Sequence, residues 1–158
     1  MVTFVVAFFR EVEAYLRADA PHRTLAQLDV ANAIAGVDGP ITVVAHSLGS
    51  VVAYEALHRY PQKEIELFVT PGSPLAMPVA VFPRLDPAPV NGFGARPPGV
   101  ERWVNLADRG DLMAIPRGDI ARRFRDVEAH QDVSVHWLDF HTAANYLRTE
   151  ALATLTHV

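Results

Sequence analysis

Residues 41–54 constrain the fold of this 158-residue chain more than any other stretch. They begin with a short run of β-branched and apolar residues, 41–45, that directly follows Gly39-Pro40. A run this short, with no polar face, is typical of a strand buried in a parallel sheet. From Leu48 the apolar residues recur at helical spacing until Pro61 prevents another turn. The sequence therefore predicts a strand, a sharp turn and a helix in immediate succession.

Ser47 lies at the junction between this strand and this helix. Its flanks, Ala45-His-Ser-Leu-Gly49, match the nucleophile elbow G-x-S-x-G, with Ala45 in place of the first glycine. The elbow holds a serine in a strained backbone geometry at a strand end, so the residues two positions before and after it should be small. Alanine meets that requirement. The alternative interpretation is that Ser47 only caps the helix, but the strand-to-helix context favours the elbow.

Composition limits the classes of protein and partner. Half of the residues are hydrophobic, which suits a single domain over residues 1–158. The net charge of -4 provides no basic patch for nucleic acid, and the absence of cysteine excludes disulfides and thiolate metal sites. The apolar N-terminus lacks a basic region and runs into the charged residues 10–13, which argues against a signal peptide or membrane span. We expect a cytoplasmic protein without a cofactor.

Periodicity along the chain predicts alternating helices and strands. The predicted helices span residues 4–18, 24–35, 48–60 and 142–155, with a polar helix-like segment at 120–129, and the predicted strands span 41–45, 65–70, 102–107 and 133–138. Such alternation indicates an α/β fold, a three-layer sandwich around a small, mainly parallel sheet of about four strands. Residues 83–99 are rich in proline and glycine and form a loop longer than a simple connection. This loop is either a cover for an active site or an irregular surface insertion.

The elbow, at residues 43–54, resembles that of the α/β-hydrolase superfamily, particularly its lipase- and esterase-like members. Three later segments, 69–75, 103–111 and 140–146, resemble the strand ends and the acid and histidine loops of the same superfamily. The resemblance covers only the C-terminal part of the family fold. It implies a serine hydrolase whose catalytic residues follow the order serine, acid, histidine.

His141 is the best candidate for the catalytic base. A serine hydroxyl needs such a base because it is inert at its own pKa. His141 follows the fourth predicted strand and precedes the last helix, as the resemblance requires. The other histidines considered are beside the nucleophile, on predicted helical stretches or inside a predicted strand: His46, His58, His130 and His136.

Two aspartates follow the third predicted strand and compete for the acid position. Asp111 begins the run Asp-Leu-Met-Ala-Ile-Pro, which resembles the acid loop of lipase-like relatives, and we favour it. Asp108 is closer to the strand end and is the alternative acid. In this scheme Ser47 attacks an acyl carbon, His141 carries the proton, and the acid orients the imidazole. Ser73 is a weaker rival nucleophile, because its Pro-Gly-Ser-Pro context is a turn with no following helix.

The oxyanion hole is predicted to be incomplete. One donor is the backbone N–H of Leu48, which opens the helix after the elbow. The second normally comes from a loop after an earlier strand, often marked His-Gly, and nothing before residue 41 has that motif. We therefore expect a truncated hydrolase fold. We also expect an exposed edge at residues 41–45 that pairs with a second copy or another chain.

These features favour a serine hydrolase of carboxylic esters that acts on a small-molecule acyl substrate, with peptide and thioester substrates left open. The alternative is a catalytically silent or incomplete hydrolase fold that acts as a binding or assembly module. A nucleotide-binding α/β protein is disfavoured because no Gly-rich phosphate loop follows a predicted strand.

Overall fold

A computed structural model describes residues 2–17, 21–108, 119–133 and 143–156. Within these ranges four parallel strands form one sheet in chain order: β1 (Thr42–Val44), β2 (Ile65–Pro71), β3 (Val100–Asp108) and β4 (Ala129–Val133). The helices are α1 (Val2–Leu16), α2 (Pro21–Ala35), α3 (Leu48–Arg59), α4 (Asp119–Arg123), α5 (Ala143–Leu147) and α6 (Glu150–Thr156). The predicted α/β class is confirmed. Because all neighbouring strands are parallel, their carboxyl ends lie along the same edge of the sheet.

Side chains from the two faces of the sheet enter two separate cores. Phe68 and Trp103, paired in register on β2 and β3, pack with residues of α1, α2 and α3. On the opposite face, Leu67 and Val69 of β2 pack with Tyr146 of α5 and with α6. Alternation along each strand produces this division, since successive side chains point to opposite faces. The helices therefore cover both faces, and the predicted three-layer arrangement is confirmed.

The fourth strand differs from its predicted position. Its described part spans Ala129–Val133, so the strand begins four residues before the predicted start at 133, and the predicted strand residues 134–138 lie outside the described ranges. The predicted helix-like segment 120–129 contains only the short helix α4, which ends at Arg123. Residues 129–133 have little strand propensity of their own. Their conformation comes from pairing with β3, where Val104 is opposite Ala129 and Asp108 is opposite Val133.

The last predicted helix, 142–155, is two helices. They are α5 and α6, separated by Arg148 and Thr149. The Thr149 hydroxyl accepts a hydrogen bond from the Leu152 N–H at 3.4 Å, which is the pattern of an N-cap. Thr149 thus caps the start of α6 within a stretch whose apolar residues keep the same helical spacing throughout. This is why the two helices resemble one in the sequence.

A buried carboxylate joins the three helices on one face of the sheet. Glu55 of α3 is 1% exposed. It accepts hydrogen bonds from the Tyr15 hydroxyl at 2.7 Å, the Gln27 amide at 2.8 Å and Arg23 Nε at 3.0 Å. The backbone N–H of Asp86 donates to the same carboxylate at 3.0 Å. Burial raises the pKa of the Tyr15 phenol, with a further contribution from the nearby carboxylate. The cluster ties α1 and α2 to α3 and to the loop after β2.

The long loop at residues 83–99 is ordered by its own contacts. A 3-10 turn spans Phe82–Arg84, and a backbone bridge joins Val90 to Phe93. The loop contacts the C-terminal half of α3, where the Tyr54 hydroxyl donates to the Ala95 carbonyl oxygen at 3.1 Å. In these contacts it behaves as a packed part of the fold rather than as an irregular insertion.

No helix in the described parts of the chain has both the length and the apolar character required to span a bilayer.

Candidate active site

Ser47 has the backbone conformation of a nucleophile elbow. It stands directly before α3 with φ 53° and ψ -132°, values that a non-glycine residue seldom adopts. Its N–H donates to the Pro71 carbonyl oxygen at 3.2 Å, and the Ala45 N–H donates to the Val69 oxygen at 2.9 Å. Strand pairing thus holds the chain on both sides of the turn. The strained serine between a parallel strand and a helix is the geometry that the sequence pattern predicts.

The alternative interpretation of Ser47 as a helix cap is wrong. Its side chain makes no capping hydrogen bond to α3. Instead, Ser50 binds the Ser47 carbonyl oxygen through both its backbone N–H, at 2.9 Å, and its hydroxyl, at 2.6 Å. The turn is stabilised through the carbonyl group of Ser47, and the hydroxyl group is not needed for capping.

The small residues around the elbow have different explanations. Ala45 directly follows β1 and is buried, which agrees with the expectation of a small residue there. At Gly49, however, a Cβ atom would meet nothing within 4 Å among the described residues. Close approach of the strand and the helix therefore does not account for the glycine, contrary to the expectation from the motif.

Leu48 is the first residue of α3 and directly follows Ser47. The N–H groups in the first turn of a helix have no acceptor within the helix, and the helix dipole places partial positive charge there. The backbone N–H of Leu48 therefore has the environment that an oxyanion donor requires. Its participation in catalysis stays a prediction.

Asp108 lies at the carboxyl end of β3, on the sheet edge that also carries the elbow. It is 5% exposed, and its backbone N–H donates to the Tyr146 hydroxyl at 3.1 Å. The Tyr146 ring is fully buried, with its centroid 5.6 Å from the ring of His46, the residue before Ser47. Tyr146 of α5 thus connects the end of β3 with the elbow.

The other two predicted catalytic residues, Asp111 and His141, lie outside the described ranges. The predicted triad therefore stays a prediction. In the sequence, Tyr146 fits only the apolar side of the last predicted helix, 142–155. The one feature that could indicate its contact with the site is its hydroxyl group, because a buried tyrosine hydroxyl needs a hydrogen-bond partner.

Ser73, the rival nucleophile, has a structural role in the loop after β2. It is 4% exposed, shares a hydrogen bond of 2.7 Å with the Ser50 hydroxyl and accepts the Leu75 N–H at 3.3 Å. These contacts fasten the loop to the first turn of α3, next to Ser47. The sequence gives no direct signal for the pairing of Ser50 with Ser73, because it joins residues 23 positions apart.

The remaining histidines considered have separate positions. His58 lies on α3 as predicted, 3.3 Å from the Ala95 oxygen, and burial lowers its pKa. His130 was predicted to be helical and is instead in β4, where it pairs in register with Asn105 of β3. His136 lies outside the described residues.

The comparison with known families agrees with this geometry. The model of the alpha/beta hydrolase family matches residues 12–157. The chain belongs to the alpha/beta hydrolase family. A search of curated proteins and a search of solved structures each gave no match.

The part of the chain before the elbow is helical where it is described. Residues 2–17 and 21–40 include α1 and α2 and no strand. A second oxyanion donor from a loop after an earlier strand is therefore not found in these residues. β1 is accordingly an end strand of the described sheet, and Val44 is 38% exposed.

In the described parts of the chain, no group of three or more His, Asp or Glu residues has the arrangement needed to hold a metal ion.

Proposed function

We propose that this protein is a serine hydrolase of carboxylic esters, with Ser47 as nucleophile, His141 as base and Asp111 as the acid that orients the base. The observation that carries the proposal is the backbone of Ser47, held at φ 53° and ψ -132° between β1 and the start of α3. A serine in such strained geometry, at the carboxyl edge of a parallel sheet, is typical of catalytic rather than structural serines. Membership of the alpha/beta hydrolase family supports the same reaction class.

In the proposed reaction, the Ser47 hydroxyl oxygen attacks the acyl carbon while His141 accepts its proton. The oxyanion that forms is stabilised by the Leu48 N–H at the start of α3. The C–O bond to the leaving group then breaks, and His141 returns the proton to the departing alkoxide, which leaves as an alcohol. Water, deprotonated by His141, then attacks the acyl carbon. The bond between this carbon and the Ser47 oxygen breaks, His141 returns the proton to that oxygen, and the carboxylic acid is released.

The acid is the least constrained assignment. Asp111 has the sequence context of the family's acid loop, whereas Asp108 is a buried carboxylate at the end of β3. The N–H of Asp108 also donates to the Tyr146 hydroxyl, and the Tyr146 ring packs against His46, the residue before Ser47. We retain Asp111 as the acid and Asp108 as the alternative. Separate asparagine variants distinguish them.

One observation favours a second function, a catalytically silent hydrolase fold that serves as a binding or assembly module. Residues 2–17 and 21–40 contain no strand whose following loop would supply the second oxyanion donor. Loss of one such donor typically lowers turnover about 100- to 1000-fold. A chain with only the Leu48 donor is thus expected to be a slow enzyme or an inactive one.

Labelling with a fluorophosphonate probe tests the two functions against each other. The wild-type chain should be labelled, and Ser47→Ala should abolish labelling. Ser73→Ala is the control for the rival serine and should retain labelling, since it keeps the Ser47 hydroxyl and the hydrogen bond from the Ser47 N–H to Pro71. Circular dichroism confirms that each variant is folded. A folded wild type that resists labelling would support the binding module, and aryl esters of increasing acyl length would next define the substrate class of an active protein.

A further inference from the structure

A cavity of about 460 Å³ lies beside the C-terminal half of α3, away from the elbow. It is lined by the loop at residues 87–95 and by Arg125, with the fully buried Tyr54 behind the loop. Tyr54 of α3 follows Ser47, the residue before the helix, by seven positions, a distance of about 10 Å along the helix axis. The cavity is in the size range of small-molecule sites, about 300–1,000 Å³. The proposed catalytic function does not account for it.

The tip of the loop is a tight turn with fixed geometry. Asn91 and Gly92 both have positive φ, 52° and 79°, as the two central residues of a type I′ turn do. Val90 and Phe93 exchange both backbone hydrogen bonds across this turn, at 2.8 and 3.0 Å. The turn therefore holds two apolar side chains in set positions, although Val90 is 70% and Phe93 43% exposed.

The base of the loop is attached to the segment before β4. The Gly94 N–H donates to the Arg123 oxygen at 2.8 Å, and the Arg125 N–H donates to the Gly94 oxygen at 3.0 Å. A Cβ atom at Gly94 would lie 2.4 Å from the ring of Phe124, so only glycine allows this approach. The two walls of the cavity are thus joined directly to each other.

Arg125 supplies a positive charge at the edge of an otherwise apolar cavity. Its guanidinium group lies over the ring of Phe93, 5.2 Å from the centroid. The ion pairs formed within the described ranges do not include Arg125. A planar guanidinium is suited to bidentate binding of a carboxylate. The charge is therefore available to a ligand whose body contacts Phe93 and Val90.

We propose that the cavity between the loop 87–95 and Arg125 binds a small monocarboxylate with an apolar chain or ring. The carboxylate pairs with the Arg125 guanidinium, and the apolar part lies against the exposed side chains of Val90 and Phe93. Apolar walls with one well-placed polar group are the usual composition of small-ligand sites. Because its walls are fixed by backbone hydrogen bonds, the site needs little reorganisation on binding.

Octanoate is a suitable probe, and 1-octanol is its uncharged counterpart. Titrations of the ¹⁵N-labelled protein followed by NMR should show saturable shifts in residues 90–95 and 125, with weaker binding of octanol. Arg125→Gln should weaken octanoate binding about tenfold, the lower limit for loss of a charge-assisted hydrogen bond. Arg125→Lys should recover part of it. Arg122→Gln is the matched control, because it removes the same charge from α4 at a side chain that is 79% exposed and not part of the cavity wall.

Two further variants separate this site from the proposed catalytic site. Ala88→Trp places a large side chain in the cavity from an exposed position and should abolish the shifts, whereas Ser47→Ala should leave octanoate binding unchanged. Absence of saturable binding would overturn the proposal. So would equal affinities of Arg125→Gln and Arg122→Gln, or shifts confined to residues around Ser47. These results do not depend on hydrolysis, so the cavity and the proposed function fail or succeed separately.

Discussion

Replacement of Glu55 by glutamine is expected to destabilise the protein strongly while conserving the shape of the side chain. The carboxylate accepts hydrogen bonds from Tyr15, Gln27, Arg23 and the Asp86 N–H, all between 2.5 and 3.0 Å. Glutamine retains one acceptor oxygen and places an NH₂ group against donors. It also leaves the Arg23 guanidinium, whose side chain is only 16% exposed, without an anionic partner.

The magnitude follows from the burial of both partners. Removal of one member of a buried ion pair costs roughly 3–5 kcal/mol of stability. Because Arg23 is partly exposed, we expect a loss of about 3 kcal/mol in the free energy of unfolding. This is a large fraction of the stability of a typical domain, about 5–15 kcal/mol. Tyr15→Phe, which removes one donor to the carboxylate, should cost less, about 1–2 kcal/mol.

Urea unfolding measures this loss, and the fluorescence of the fully buried Trp103 is a suitable reporter. Glu128→Gln is the matched control, because it removes a carboxylate from an ion pair with Arg102 in which both side chains are more than 40% exposed. Exposed pairs contribute little, so its midpoint should stay close to that of the wild type. Coincident midpoints for Glu55→Gln and Glu128→Gln would refute the reasoning.

Three more predictions concern the acid, the half-buried His58 and the sheet edge. Asp111→Asn should lower kcat for an aryl ester by several orders of magnitude and Asp108→Asn much less; the reverse order in steady-state kinetics would transfer the role to Asp108. Burial lowers the pKa of His58 from 6.5, so the stability linked to its neutral form is complete above pH 6.5 and declines as the pH falls toward the lowered pKa. Urea midpoints measured from pH 8 to pH 5 should therefore decline less for His58→Gln than for the wild type. Identical pH profiles of the two proteins would contradict this prediction. The backbone N–H and C=O groups of Thr42 and Val44 point away from β2, since Ile41 and Ala45 make hydrogen bonds to it. Sedimentation should therefore detect self-association of the wild type, and Val44→Lys should weaken it. A wild type that stays monomeric at all concentrations would exclude edge pairing.

The elbow was predictable because its determinants are local. A short apolar run, small residues around Ser47 and a helical period after it all lie within residues 41–54. Each of these acts on the backbone over a few positions, and the observed strand, turn and helix follow the predicted order. Only the reason for Gly49 was wrong, since no described atom outside its chain neighbours and its own helix backbone lies within 4 Å of the position of its missing Cβ.

The fourth strand and the Glu55 cluster were not predictable, because their determinants are distant in the sequence. β4 exists where residues 129–133 meet β3, and its polar sequence resembles a solvent-exposed helix until that pairing is known. Glu55 fits the polar positions of a helical pattern. Its burial becomes favourable only when Tyr15, 40 residues earlier, and Arg23, 32 residues earlier, arrive beside it.

These distant contacts determine how firmly the elbow is held. Strained backbone such as that of Ser47 costs about 1–3 kcal/mol and persists only if the surroundings fix it. At the start of α3, the hydrogen bond between Ser50 and Ser73 and the bond from Ser47 to Pro71 attach the helix to β2 and its following loop. Two turns later, Glu55 attaches the same helix to α1 and α2. Because α3 is fixed at both places, it cannot rotate to relieve the strain, and the Ser47 hydroxyl stays at the carboxyl edge of the sheet. The buried cluster thus supports the geometry of the elbow without contact with the site itself.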